Sequence, residues 1–70
     1  MAIIELRNLE QDRKVIPVGK RTIHLGSVLD TGVVGVQQPR ADITGEEADF
    51  IRKHPVTKGM IEANTIGVYG

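Results

Sequence analysis

Side chains able to transfer a proton, bind an anion or hold a metal fall at three places in this chain. Two adjacent basic pairs, Arg13-Lys14 and Lys20-Arg21, flank the stretch VIPVG. Brought together, they would form a patch for a phosphate or a carboxylate. His24 and His54 are the two histidines, and either residue type can serve as acid or base near neutral pH. An acidic run, Asp42, Glu46, Glu47 and Asp49, has the composition, though not the order, of a calcium loop.

Each possibility meets a plainer reading. VGKRT is not a phosphate-binding loop, because Lys14 stands where that loop needs its first glycine and Arg21 stands where it needs Ser or Thr. His24 lies between Ile23 and Leu25, so alternation turns it away from the apolar face. His54 ends a helical stretch, and neither histidine has a nucleophile or carboxylate nearby in a recognised spacing. The acidic run lacks the alternating ligands and central glycine of a calcium loop, and helix-dipole chemistry already accounts for it. The chain has no cysteine, which excludes disulfides and thiolate zinc sites. No catalytic, cofactor-binding or metal-binding residue is therefore assigned. Arg13, Lys14, Lys20 and Arg21 stand as the candidate partner contact. Their plainer role is to keep an edge hairpin soluble and unpaired with itself.

Composition narrows the function classes further. Seventy residues make one small α+β domain with a modest core, worth roughly 3 to 5 kcal/mol net. Such a core is commonly supported by a partner or an assembly. Net charge is zero and aromatics are 3% of residues, which argues against a nucleic-acid binder that neutralises phosphates or stacks bases. Residues 1–40 carry +2 (six Lys/Arg against four Asp/Glu) and residues 41–70 carry −2 (three against five). This allows head-to-tail docking of a basic half on an acidic half, although surface scatter is the simpler account. No apolar run is long enough to span a bilayer. The opening MAIIELRNLEQ lacks the basic and apolar regions of a signal peptide, so the chain is expected to be made in the cytoplasm.

The elements that must position these side chains follow from periodicity. AIIELRNL alternates, with Ile4 and Leu6 on one face, and predicts a strand. RKVIPVGKRTIHLG predicts a hairpin turning at Gly19-Lys20, with Ile16, Val18, Ile23 and Leu25 on its apolar face. Pro17 places its strand at a sheet edge. GSVLDTG reads as a turn whose Val28 and Leu29 dip into the core. VVGVQQP reads as a further strand, ended by Pro39 and bulged at Gly35. Thr44 and Glu47 form a capping box for a helix with Ala48 and Ile51 on its buried face. His54-Pro55 breaks that helix and starts a second, whose face carries Val56, Met60 and Ile61. Gly59 is read as a place where another backbone approaches, and Asn64 as a left-handed cap. TIGVYG predicts a last strand. Residues 1–39 are thus expected to be β-rich, 43–64 to hold two short helices, and 65–69 to form the final strand.

Two stretches carry a family resemblance. NLEQDRKVIPVGKRTIHLG resembles the start of many small proteins of tailed-bacteriophage structural gene clusters, in which an Asn and a basic residue lead into two strands ending in glycine. ITGEEADFIRKHPVTKGMIEANTIGV is similar to their ending, through Thr44, Glu46, Glu47, Ala48, Phe50, Ile51, His54, Pro55, Val56, Lys58, Asn64 and Ile66. This chain has Gly26-Ser27 where a Pro-Gly usually follows the hairpin, and Thr57 where an aromatic often follows HPV. The resemblance implies a non-enzymatic virion or assembly protein, present in many copies and contacting capsid or tail subunits or itself. Exposed strand edges, in AIIELRNL or TIGVYG, would then pair with a neighbour by strand addition. Two other classes are carried beside it. One is a binding adaptor or regulator that docks an acidic protein through the basic hairpin. The other is a minimal enzyme subunit with a shared site and His24 or His54 as base.

Overall fold

Alternation dictates the strands. In β1 (Ile4–Asn8), Leu6 and Asn8 turn inward with Ile4, while Arg7 faces solvent. β4 (Arg40–Ile43) and β5 (Ile66–Tyr69) flank β1, both antiparallel to it, giving the order β4-β1-β5. β2 (Lys14–Pro17) and β3 (Thr22–Leu25) form a separate hairpin in which Ile16 opposes Ile23. Its turn needs Gly19, whose φ is +105°, a conformation that costs a side-chain-bearing residue free energy. Pro17 lies on an unpaired strand edge, as a residue without an amide hydrogen must. The chain is α+β, seen in a computed structural model that describes residues 3–70; Ala2, in the expected opening strand, lies outside them.

Capping sets the helices. The Thr44 hydroxyl accepts from the Glu47 amide at 3.2 Å, and the Glu47 carboxylate accepts from the Thr44 amide at 2.9 Å, starting α1 (Gly45–Lys53). His54 is extended (φ −70°, ψ 128°), as a residue before proline prefers, and α2 (Pro55–Glu62) leaves in a new direction. Asn64 takes the left-handed conformation (φ 60°) that returns the chain to β5. The core joins Leu6, Ile43 and Ile66 of the sheet, Ile16, Val18, Ile23 and Leu25 of the hairpin, and Ala48 and Ile51 of α1. Burying each of the larger side chains contributes about 1.5–3 kcal/mol.

The fold departs from the sequence expectations at six points. The strand expected over Val33–Gln38 is a loop, and β4 begins just after Pro39, where no strand was expected. Gly32 (φ +77°) and Gly35 (φ +87°) fold this segment on itself, so Gly35 is part of a turn and not a bulge. Val28 and Leu29, expected in the core, are exposed, Leu29 at 68%. On α2 the buried position is Thr57, while Val56 is 66% exposed. The Thr57 hydroxyl donates to the Ile51 carbonyl at 2.6 Å, filling a bond that the end of α1 leaves open. No backbone lies against Gly59, since a Cβ there would meet nothing within 4 Å. Finally, β1 is central and paired on both sides, so it offers no free edge for strand addition.

Candidate functional site

The four basic residues proposed as a partner contact do not converge. Arg13 and Lys14 lie at the open end of the hairpin, and Lys20 and Arg21 at its turn. Two of the four charges are engaged within the chain. The Lys14 ammonium donates to Glu10 at 2.8 Å and Asp12 at 2.9 Å; the bond to Glu10 leads in raising its pKa, and Lys14 in turn lowers that of Asp12. The Arg21 guanidinium binds Glu47 through two nitrogens, at 2.5 and 2.8 Å, and donates to the Asp42 carbonyl at 3.2 Å. Arg21 thereby ties the hairpin tip to the first turn of α1. That bond, with the Thr44 amide behind it, pushes the Glu47 carboxyl down to about 2. Beside this tie a groove of about 330 Å³ is lined by Val18, Lys20, Glu46 and Phe50.

The histidines sit apart in role. His24 is exposed on the outer face of the hairpin, opposite Val15. His54 spans the helix junction: its ring stacks on Phe50 with centroids 5.4 Å apart, and its Nδ1 accepts from the Val56 amide at 3.3 Å. This caps α2 and makes the histidine part of the join. Among the described residues no group of three or more His, Asp or Glu side chains is placed to hold a metal, and no helix is long and apolar enough to cross a membrane.

A residue that periodicity did not single out organises the loops. Asn8 is 2% exposed and makes three side-chain bonds. Its amide donates to the Asp12 carbonyl at 2.6 Å and the Gly26 carbonyl at 2.9 Å, and its oxygen accepts from the Glu10 amide at 3.0 Å. Its backbone amide donates to the Pro39 carbonyl at 2.7 Å. Gly26 passes so near that a Cβ there would lie 1.8 Å from the Gln37 carbonyl oxygen. These contacts pin both ends of the segment Ser27–Gln38.

That segment is built inside out. Its polar groups hold the backbone: Ser27 and Asp30 cap a 3₁₀ turn reciprocally, at 3.1 and 3.0 Å. Gln38 takes the part that a strand partner would play. Its oxygen accepts from the Gly32 amide at 2.9 Å, and its amide donates to the Asp30 and Val33 carbonyls at 3.1 and 2.9 Å. The apolar side chains face out: Val28, Leu29, Val33, Val34 and Val36 are all exposed, Val34 at 95%. Beside the loop, Leu9, Val28 and Pro39 line a groove of about 250 Å³ whose rim carries Arg7 and Arg40. Several exposed apolar side chains on a loop braced by hydrogen bonds are suited to contact with another macromolecule. The sequence signal for it is the pair Val33-Val34 set between Gly32 and Gly35.

No protein-family model, curated protein or solved structure matches this chain.

Proposed function

We propose that this chain is a non-enzymatic structural protein of a tailed-bacteriophage particle, a component of the capsid, tail or connector that works by seating against neighbouring subunits. The observation that carries the docking role is the braced loop Ser27–Gln38, which turns Leu29, Val33 and Val34 to solvent. Covering those side chains removes apolar surface from water at no further ordering cost to the loop, so the contact stabilises both the assembly and the fold. The assignment to a phage particle rests on the resemblance of the hairpin and the two-helix ending to small proteins of phage structural gene clusters. On this reading the chain is made in the host cytoplasm and ends in the virion, among capsid or tail subunits.

The test is mass spectrometry of particles purified from cells in which the encoding genome produces them. The chain is expected in the particles at a fixed ratio to the major subunit, and Val34→Asp is expected to leave it folded in the lysate but missing from them. A chain confined to the lysate and never found in particles contradicts the proposal.

A further inference from the structure

The outward face of the three-stranded sheet carries its charges in two adjacent rows of opposite sign. Residues directly opposite on neighbouring antiparallel strands project to the same face. The pairing sets Glu5 beside Asp42 on one flank and Tyr69 on the other, and Arg7 beside Arg40 and Gly67. The face is therefore two parallel rows, Asp42-Glu5-Tyr69 and Arg40-Arg7-Gly67. Each row places like charges directly opposite, the arrangement that destabilises a lone sheet. Arg7 is relieved within the chain, since it binds Glu5 and lies 4.7 Å over the Tyr69 ring. Arg40 and Asp42 form no ion pair among the described residues, and both are exposed.

From this order we infer that the face is a twofold contact with a second copy of the chain. A twofold axis lying in the contact plane, across the strands and midway between the rows, exchanges one row for the other. Asp42 of one copy then stands over Arg40 of the second, and Glu5 over Arg7. Acid meets base at both positions and from both sides, while each Tyr69 ring stays folded over its own Gly67. An isologous contact requires this self-complementarity, and a heterologous partner does not. Stacked sheets lie about 10 Å apart, a gap that facing Arg and Glu side chains fill. The contact is polar, so its strength depends on salt. The face adjoins the loop at Arg7 and Arg40, which rim the groove beside Val28, but it rests on charges and not on the loop's valines, so different substitutions test the two contacts.

Light scattering on the purified protein across a concentration series tests this. The wild type is expected to approach the mass of two chains at low salt and to return to one chain near about 1 M salt, where screening is complete within a few ångström. Reversing one row, as Arg7→Glu with Arg40→Glu or Glu5→Arg with Asp42→Arg, is expected to weaken self-association more than about a hundredfold. An equimolar mixture of the two reversed proteins, and the protein with all four charges exchanged, are expected to regain the two-chain mass. The fourfold exchange keeps the pairing within the face, so it reports on assembly even where a single reversal unfolds the chain. A wild type of one-chain mass throughout overturns the inference, as does a dimer indifferent to either reversal. Val34→Asp is expected to dimerise normally, which separates failure here from failure of the loop as a docking surface.

Discussion

The crossing of β1 with the hairpin and helices, and the loop Ser27–Gln38 beside it, use the same side-chain types in opposite ways. In the first region apolar residues turn inward, and the buried polar side chains, Asn8 and Thr57, each satisfy main-chain groups around them. In the second, Gln38, Ser27 and Asp30 do the folding through hydrogen bonds, and the valines and leucine remain outside. The contrast separates two uses of apolar surface. Where it is consumed by folding it reports on stability; where a polar frame holds it outward it is left for a partner.

Substitutions at the two regions should therefore separate stability from docking. Leu6→Ala gives the largest expected loss of stability, about 2–5 kcal/mol for a fully buried leucine. That is comparable to the whole stability of a domain this small, roughly 3 to 5 kcal/mol, so urea titration should find the variant largely unfolded. Asn8→Ala is expected to cost about 1–3 kcal/mol, because it leaves buried groups such as the Gly26 carbonyl without their donor. Amide hydrogen exchange should also quicken at Glu10, whose amide loses its acceptor.

Acid titration probes a smaller effect. The Glu47 carboxyl sits at about 2 in the folded chain against an ordinary 4.5, because Arg21 and the Thr44 amide favour its charged form. Its contribution is complete above pH 4.5 and is lost as pH falls toward about 2. Arg21→Ala should flatten that part of the stability profile, measured by thermal melting across the acid range. Val34→Asp should change stability least, within about 0.5 kcal/mol, since the side chain is almost wholly in water. It should nonetheless abolish incorporation into particles. A large drop in melting temperature for Val34→Asp would erase the contrast between the regions.

The parts of the fold legible in the sequence are those with local causes. Alternation set the hairpin and its four inward residues, the Thr44–Glu47 box set the start of α1, and His54-Pro55 set the break. Features that depend on distant partners were not legible. Pro39 looked like the end of a strand; it precedes one, because its carbonyl takes the Asn8 amide from across the sheet. Val33–Val36 has strand composition, but no strand pairs with it: the Val33 amide donates to the Asp30 carbonyl and the Val33 carbonyl accepts from the Gln38 side chain. Thr57 interrupts the apolar face expected on α2 because its hydroxyl is needed at the end of α1. The basic pairs showed in the sequence as a possible patch, while the partners that engage Lys14 and Arg21, and the separation of the pairs along the hairpin, came only with the fold.

A side-chain-resolution image of the assembled particle is the most direct trial of the claim that this chain functions seated against other subunits. The account expects Leu29, Val33 and Val34 of each copy to lie beneath an apolar surface of an adjoining subunit. A particle in which every copy turns this loop to open solvent would contradict it.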